Sequence, residues 1–279
     1  MEEHAELVEN WPTLGKAIES GVELLTNTTA SPSHDGRETQ LLAYILTRNP
    51  TNPTDILSTM DKFSLQENFL ISVRPKKADI PRDLIAQEKP KVLVKLGGYL
   101  GYSSVLFADA MLEAHGGLID DKGLKVYSLE LDPVCAAIAR QIAQLAGLED
   151  IIEVIEGVAS DSIRNLVEGG KITNIDFLFI DHVEDLYEGD FKAIEALGAL
   201  KMGAVVVADN VVRPGAPKYR EFIRGKKKCG WESSGVKALI WPGDLEVSLF
   251  HGVMAGRLVD SEMRLFELCL LEIGRTGSE

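Results

Sequence analysis

The sequence predicts an α/β fold in which a mostly parallel sheet is closed by an antiparallel hairpin. From residue 90 onward, short apolar runs alternate with longer amphipathic segments, as they do in successive β-α units. Near the end of that region, two β-rich runs are separated by Pro242-Gly243-Asp244, which is typical of a hairpin turn. The first ninety residues show helical periodicity alone, so a helical region precedes the sheet.

Each element is assigned from its own pattern of apolar residues. In the N-terminal region, apolar residues recur at three- and four-residue spacing, which predicts helices over 14–25, 38–46 and 55–69. Short apolar runs predict strands over 91–96, 125–129, 152–156, 177–181 and 204–208, and the hairpin strands over 236–241 and 245–251. The amphipathic segments between and after them predict helices over 103–114, 133–145, 161–168, 188–197, 216–225 and 263–271.

Composition excludes several classes of protein and partner. The 279 residues are 45% hydrophobic and 26% charged, which is typical of a globular chain. The net charge of −14 has the wrong sign for binding nucleic acid or an anionic membrane, so we expect neither partner. Three widely spaced cysteines indicate neither a disulfide framework nor a zinc site. The acidic start and the lack of a long apolar stretch lead us to expect a cytoplasmic protein.

The same changes of pattern suggest a division of the chain into three parts. Residues 1–89 are expected to form a helical cap, residues 90–252 the α/β domain, and residues 253–279 a C-terminal extension. The three parts are expected to pack as a single compact unit.

A glycine-rich turn follows the first strand. Gly97, Gly98 and Gly101 lie between this strand and a helix, where glycine allows a ligand to approach the backbone closely. A tight turn without a ligand is the alternative. Glu130 ends the next strand, where Rossmann-like folds place the acid that binds ribose hydroxyls, and this favours an adenosine ligand. Because the glycines do not form GxGxxG and no basic residue stands ready for a pyrophosphate, we expect a ligand without phosphates.

Two further strands end in oxygen-bearing side chains. Asp181 ends one buried strand, and Asp209 and Asn210 end the next. Since the carboxyl ends of parallel strands meet at one edge of a sheet, these side chains are expected to converge. Two carboxylates and an amide suit Mg²⁺, and helix capping is the alternative role. His182 is a softer donor and is expected to form part of a ligand wall.

Four segments share one family pattern: GGYLGYS at 97–103, LELDPVCAAI at 129–138, FIDH at 179–182 and ADNVVRPGAP at 208–217, the last being the most specific. Together they resemble the catechol O-methyltransferase family of magnesium- and S-adenosylmethionine-dependent enzymes. The resemblance covers residues 38–252. It implies a Rossmann-like class I methyltransferase fold, with a seven-stranded, mostly parallel sheet, an antiparallel last strand and a helical N-terminal region.

The resemblance also implies roles for individual residues. Asp181, Asp209 and Asn210 would hold Mg²⁺, and the substrate wall would be formed by Phe69, Val183 and Pro214. The glycine turn would face the methionine end of S-adenosylmethionine, Glu130 the ribose and Leu131 the adenine. The implied cofactor pocket comprises Ile71, Val73, Gly97, Tyr99, Ser103, Glu130, Leu131, Ser160, Asp181 and His182.

The sequence departs from the family pattern at two charged positions. The catalytic base of the family is a lysine three residues after the first metal aspartate, and here that position is Glu184. Glu184 is therefore the predicted catalytic residue, as a weaker base unless it is buried. At the end of the first strand, the family has an acidic residue that favours the ammonium group of the cofactor. Here that position is Lys95, which would repel the group. A compensating exchange of charge between Lys95 and Glu184 is one interpretation.

Three functions remain open from the sequence. The first is a Mg²⁺- and S-adenosylmethionine-dependent O-methyltransferase that acts on a hydroxylated, aromatic small molecule. The second is a methyltransferase-like protein that has lost methyl transfer and catalyses a cyclisation or rearrangement, as the changes at Glu184 and Lys95 allow. The third is a non-catalytic binding protein. The expected partner is a small-molecule substrate, and a homodimer is an open alternative to a monomer.

Overall fold

A computed structural model of the chain describes residues 12–19, 35–72, 75–117, 123–236 and 245–251. The α-helices are α1 (Pro12–Glu19), α2 (Arg37–Arg48), α3 (Pro53–Gln66), α4 (Pro75–Glu88), α5 (Tyr102–Ala114), α6 (Pro133–Leu145), α7 (Ala159–Glu168), α8 (Tyr187–Ala196) and α9 (Pro217–Gly225). The strands are β1 (Val92–Leu96), β2 (Lys125–Glu130), β3 (Ile152–Glu156), β4 (Ile175–Ile180), β5 (Leu200–Ala208), β6 (Trp231–Gly235) and β7 (Glu246–Phe250).

The described strands form one seven-stranded sheet in the order β3-β2-β1-β4-β5-β7-β6. Strands β1 to β5 pair in parallel, and β7 lies antiparallel between β5 and β6. The predicted α/β fold, with seven strands, an antiparallel last strand and a helical N-terminal region, is thus confirmed. Its strand order reverses beside β1, where an open α/β sheet forms its ligand crevice.

The first strand of the hairpin lies earlier in the chain than the sequence predicted. Strand β6 is Trp231–Gly235, whereas the prediction placed it over 236–241, of which only Val236 lies within the described residues. Serine and glycine give this segment little β propensity of its own. Its place in the sheet comes from tertiary contacts, because Trp231 is buried and stacks on Phe250, with ring centroids 4.8 Å apart.

The N-terminal region contains a helix that its apolar pattern did not predict. Helix α4 begins at Pro75, where proline is tolerated, and contains a second proline, Pro81, in its interior. The prolines obscure the helical pattern, although Ile80, Leu84 and Ile85 are buried. The predicted helix over 14–25 is present as α1, whose bounds are Pro12–Glu19, and residues 20–25 lie outside the described residues. The predicted final helix over 263–271 also lies outside them.

Apolar side chains cover both faces of the sheet. Alternate residues of each strand point to opposite faces, so Leu93 belongs to one buried cluster and Val94 to the other. The first cluster also contains Leu41, Met60 and Leu84, which shows that the N-terminal helices share a core with the sheet. Each fully buried side chain of this kind contributes roughly 1.5–3 kcal/mol to folding.

The proposed domain boundaries stay a prediction. No helix among the described residues is long and apolar enough to cross a membrane.

Candidate functional site

The register of the sheet brings the ends of β4 and β5 together. Ile180 pairs with Ala208, so the residues that follow them, Asp181 and Asp209, leave the sheet side by side. The amide of Asp209 donates to the carbonyl of Ile180 at 2.9 Å, and the amide of Asp181 donates to that of Leu96 at the same distance. The structure therefore brings the two predicted aspartates to one edge of the sheet.

A lysine ammonium contacts two of the three predicted metal ligands, Asp209 and Asn210. Lys77, in the first turn of α4, forms an ion pair with Asp209 and donates to Oδ1 of Asn210 at 2.9 Å. Asp209 is 3% exposed, so its charge needs a partner. The amide of Asn210 also donates to Oδ1 of Asp209, at 2.6 Å, with Asn210 in the left-handed region at φ 55°. The Asp209 and Asn210 oxygens are thus arranged to hold a cation.

The third predicted metal ligand, Asp181, forms an ion pair with a different lysine, Lys95. Lys95 is 2% exposed, and its Nζ lies 3.4 Å from Oδ2 of Asp181 and donates to the carbonyl of Gly97. The same ammonium lies 5.8 Å from the centre of the Phe179 ring. The positive charge at the end of β1 is therefore held by Asp181 and Gly97. These contacts join Lys95 to Asp181, where the sequence-based interpretation joined it to Glu184.

Glu130 binds the backbone of the glycine turn. Its Oε2 accepts hydrogen bonds from the amides of Gly98, at 2.8 Å, and Tyr99, at 2.6 Å. Its Oε1 accepts from the amide of Asp132 at 2.8 Å, and the residue is 7% exposed. The turn is thereby fixed to the end of β2. Because each carboxylate oxygen has two lone pairs, this arrangement leaves room for a further donor such as a ribose hydroxyl.

Gly97 is required by the packing of the turn itself. A Cβ at this position would stand 2.2 Å from the carbonyl oxygen of Asp181, and its φ of +87° disfavours any residue with a side chain. The strand ends therefore approach each other as closely as the backbone allows.

We expect Gly97→Ala to lower the free energy of unfolding by about 3 kcal/mol, from backbone strain and the clash together. Gly203→Ala is a matched control, because Gly203 has a φ of +85° and no heavy atom within 4 Å of its Cβ position. The control is expected to cost about 1–2 kcal/mol from backbone strain alone. Urea denaturation measures both variants. Equal losses would contradict the close contact with Asp181.

Exposed apolar side chains lie next to the polar groups of this edge. Leu131, directly after Glu130, is 61% exposed, and Ile71 is 42% exposed. Ser103, in the first turn of α5, is 5% exposed, while Ser160, in the first turn of α7, is partly exposed. Such an apolar surface beside fixed polar groups suits a nucleoside ligand. Val73, the other residue predicted for this pocket, lies outside the described residues.

His182 is oriented by an acid and an aromatic ring. Its Nε2 lies 2.7 Å from Oδ2 of Asp190, and its ring stacks on Tyr187 with centroids 5.1 Å apart. Burial raises the pKa of the Tyr187 phenol well above its usual value, and the nearby charges of Asp181 and Asp209 raise it further. His182 is thus held by Asp190 and Tyr187, and its part in a ligand wall stays a prediction.

Glu184 is half-buried in a short 3₁₀ turn over Glu184–Leu186. Burial raises the pKa of its carboxyl group, and the negative charge of Asp181 raises it further, while His182 lowers it. Val183, directly before it, is also half-buried. A carboxyl group with a raised pKa is a better base than an exposed one, so its environment is compatible with its predicted role.

The remaining predicted substrate residues lie on two different elements. Phe69 follows α3 and is 6% exposed, and its carbonyl oxygen accepts a hydrogen bond of 2.6 Å from Nη1 of Arg37. Arg37 is 1% exposed and is held by both carboxylate oxygens of Asp35. Pro214 lies in the short helical turn Val211–Gly215, and this turn begins directly after Asn210.

Three residues of this site escaped the sequence analysis: Lys77, Arg37 and Asp190. Lys77 lies 133 positions before Asn210, and no local pattern links residues so far apart. Arg37 and Asp190 look like ordinary charged positions on amphipathic helices. Only the packing of α2, α4 and α8 brings the three side chains to the residues that they hold.

The donors at the ends of β4 and β5 fit a hard cation. Asp181, Asp209 and Asn210 offer only oxygen atoms, which Mg²⁺ prefers. The ammonium of Lys77 already stands in for a cation against Asp209 and Asn210. Within the described ranges, no group of three or more His, Cys, Asp or Glu side chains is placed to hold a metal. The predicted set has only two such residues, its third member being an amide.

This fold and these residues define an α/β protein in which Asp181 and Asp209 follow adjacent strand ends and Glu130 fixes the neighbouring glycine turn. Residues 52–221 match the family model described as O-methyltransferase. Catechol O-methyltransferase of Bos taurus is 32% identical over 220 residues, which are 78% of this chain and 78% of that protein. A probable O-methyltransferase of Mycobacterium tuberculosis is 36% identical over 211 residues, 74% of this chain and 86% of that protein. The chain therefore belongs to the O-methyltransferase family.

Solved structures of O-methyltransferases share the fold. The enzyme from Bacillus cereus, solved in complex with SAH, is 21% identical with a TM-score of 0.56, over 87% of this chain and 99% of that chain. TomG from Streptomyces achromogenes, solved with SAM, is 17% identical with a TM-score of 0.54, over 85% of this chain and 96% of that chain. The predicted Rossmann-like methyltransferase fold, the enzyme class and the likeness to catechol O-methyltransferase are confirmed.

Proposed function

We propose that the chain transfers the methyl group of S-adenosylmethionine to a hydroxyl group of an aromatic small molecule in a Mg²⁺-dependent reaction. One observation carries the proposal. Asp181 and Asp209 directly follow the paired ends of β4 and β5, with Asn210 next in the chain, at the edge of the sheet that carries the turn that Glu130 fixes. A site for a hydroxylated substrate and a site for a nucleoside cofactor are thereby neighbours, which transfer between the two molecules requires.

Asp181, Asp209 and Asn210 are the residues that would hold Mg²⁺. When bound, the ion supplies a Lewis acid that lowers the pKa of a substrate hydroxyl. The role of the protein is to hold the side chains that would bind the ion in a fixed position. The hydrogen bond from the amide of Asn210 orients the Asp209 carboxylate, and the paired ends of β4 and β5 set its distance from Asp181.

The cofactor proposal rests on the shape and polarity of the crevice. The glycine turn offers close backbone approach for the methionine end, Glu130 offers the remaining lone pair of its Oε1 to a ribose hydroxyl, and Leu131 offers an apolar face to adenine. Arg37 holds the carbonyl of Phe69, so it fixes the segment that carries Ile71. We infer that Lys95 is tolerated beside the cofactor because Asp181 and the carbonyl of Gly97 bind its ammonium.

Glu184 is proposed as the base that accepts the hydroxyl proton. We expect Glu184→Gln to lower kcat by about a hundredfold, since general base catalysis contributes at least that much. In the native enzyme the rate is expected to rise with pH through the raised pKa of Glu184. In the variant this acidic limb of the pH profile is expected to disappear. Initial rates between pH 4 and pH 9, with S-adenosylmethionine at saturation, measure both effects.

Two control variants separate the role of Glu184 from general effects of charge. Asp185→Asn removes a neighbouring exposed acid and should keep the acidic limb, displaced slightly to lower pH because the charge of Asp185 also raises the pKa of Glu184. Glu184→Lys restores the lysine of the family pattern and should retain or raise transfer. Complete loss in Glu184→Lys together with loss in Glu184→Gln would mean that the carboxylate itself is required. An unchanged profile in Glu184→Gln would contradict the assignment.

The raised pKa of Glu184 also has a consequence for stability. Because the folded-state pKa lies above the unfolded value, the ionised form is disfavoured in the fold, and stability falls as pH rises through that pKa. Glu184→Gln does not titrate and is expected to be more stable than the native chain at pH 8 but not at pH 3.5. Thermal unfolding at the two pH values compares the two proteins.

The whole proposal is tested by calorimetric titration of S-adenosylmethionine with and without Mg²⁺, followed by a methyl-transfer assay on a panel of phenols. Micromolar binding, about −8 kcal/mol, and Mg²⁺-dependent product are the expected results. Cofactor binding without methylated product would instead favour the cyclisation or rearrangement alternative. Binding of neither cofactor nor metal would favour a non-catalytic protein.

The expected setting of the protein follows from composition and from its thiols. We propose a small molecule as its only class of partner, since the net charge of −14 opposes nucleic acid and anionic lipid. We also propose a reducing compartment, the cytoplasm, because the three cysteines of the sequence are widely spaced and form no CxxC pair. Analytical ultracentrifugation distinguishes a monomer from the homodimer that the sequence left open.

A further inference from the structure

Lys77 occupies an unusual position for a basic residue. It lies in the first turn of α4, and that turn contains no acidic residue. The helix dipole disfavours a positive charge at this end of the helix. Its side chain is only 18% exposed and reaches across to Asp209 and Asn210, two residues that follow β5. The contact with Asp209 therefore accounts for the placement of the ammonium.

The local charges are balanced by two lysines. Asp209 pairs with Lys77, and Asp181 pairs with Lys95. An added divalent ion between the same oxygens would meet the ammonium of Lys77 at contact distance, where like charges repel strongly because the site is shielded from water. Lysine has a flexible stem of four carbons, so its ammonium can leave without movement of the helix.

We propose that Lys77 is a tethered cation that occupies the Asp209 and Asn210 end of the metal site and leaves it when Mg²⁺ binds. This inference rests on the metal site of the proposed function. It gives Lys77 a role that differs from that of a ligand or a base. The lysine satisfies a buried carboxylate in the metal-free protein and sets the concentration of Mg²⁺ at which the site fills.

The size of the effect follows from competition. Mg²⁺ binds only those molecules in which Lys77 has left the site. The apparent affinity for Mg²⁺ is therefore the intrinsic affinity multiplied by the fraction of such molecules. Removing the ammonium removes this competition. We expect Lys77→Met to bind Mg²⁺ at least about tenfold more tightly than the native chain, equivalent to about 1.4 kcal/mol. Methionine keeps the length and flexibility of the side chain without its charge.

The test is a calorimetric titration of MgCl₂ into the metal-free protein, without cofactor or substrate. Lys201→Met is a matched control, because Lys201 pairs with Asp176 at 2.9 Å, near the other end of β4. The control is expected to bind Mg²⁺ as the native chain does. Lys77→Gln carries the same test if Lys77→Met does not fold, since its amide can still donate to Asp209.

A second measurement follows the same exchange through stability. In EDTA, Lys77→Met leaves the Asp209 charge without its ammonium, so its Tm is expected to fall below that of the native chain. Added Mg²⁺ is then expected to raise the Tm of the variant more than that of the native chain, because binding to the folded state alone is stabilising. The Lys201→Met control should respond to Mg²⁺ as the native chain does.

The outcomes separate this inference from the proposed function. Tighter binding in Lys77→Met than in a native chain that also binds Mg²⁺ supports both. Equal or weaker binding in the variant overturns the tethered cation and leaves the metal site standing. Binding in the variant alone supports the tethered cation but overturns Mg²⁺ dependence of the native chain. Binding in neither overturns both.

Discussion

Asp209→Asn is expected to lower methyl transfer by about a thousandfold, because a metal site contributes several kcal/mol to a transition state and each 1.4 kcal/mol is a factor of ten. The substitution removes the charge of a ligand and keeps its shape. Since the Lys77 ammonium is partly exposed, it can turn toward water, so we expect the fold to persist. The measurements are kcat/KM at increasing Mg²⁺ and circular dichroism of the folded state.

The control for this variant is Asp176→Asn. Asp176 is also paired with a lysine, but it lies near the start of β4, at the other end of the strand from Asp181. Its carboxylate accepts hydrogen bonds from the amides of Lys91 and Val92, so its loss acts on stability. Activity of the folded control should stay within about twofold, since distant sites act independently. A loss in Asp209→Asn no greater than in the control would contradict the metal assignment.

The parallel part of the sheet was predictable because of where its strands lie. Strands β1, β2 and β4 and the second half of β5 lie inside the sheet and are almost wholly buried, so each reads as a short, mainly apolar run whose position the sequence reveals. The carboxyl end of each run then locates the residues that face the crevice. Asp181, Asp209 and Glu130 were found in this way, because each directly follows or ends such a run.

The elements that escaped prediction owe their structure to distant contacts. Strand β6 has little propensity of its own, but Ser233 donates to Glu246 at 2.6 Å and Trp231 packs on Phe250. In the site, the long-range partners escaped in the same way. The contact of Lys77 with Asp209 depends on how α4 packs beside the sheet, which no local spacing encodes.

Glu130→Gln is expected to damage both stability and cofactor affinity. The carboxylate accepts three backbone hydrogen bonds, two from the glycine turn and one from Asp132. In glutamine one oxygen becomes an amino group, which cannot accept and must face an amide donor. Hydrogen bonds to charged groups contribute about 1.5–3 kcal/mol each, so we expect a loss of about 4 kcal/mol in the free energy of unfolding.

The effect on the ligand is expected because the turn is part of the cofactor crevice. Once Gly98 and Tyr99 are released from Glu130, the turn loses its fixed geometry and the ribose loses an acceptor. Affinity for S-adenosylhomocysteine should then fall at least about a hundredfold, or about 2.7 kcal/mol. Urea denaturation and calorimetric titration give the two quantities.

Glu156→Gln provides the comparison at the neighbouring strand end. Glu156 ends β3 and pairs with Glu130 in the register of the sheet, but its side chain is 49% exposed and lies 3.9 Å from Arg140. Exposed ion pairs contribute about 0–1 kcal/mol, so this variant should unfold and bind almost as the native chain does. If Glu130→Gln lost stability but retained cofactor affinity, Glu130 would be a brace of the turn without a role in holding the ribose. If both quantities were retained, the buried hydrogen bonds would not be what fixes the turn, and the crevice would have to be organised by the close contact between Gly97 and Asp181.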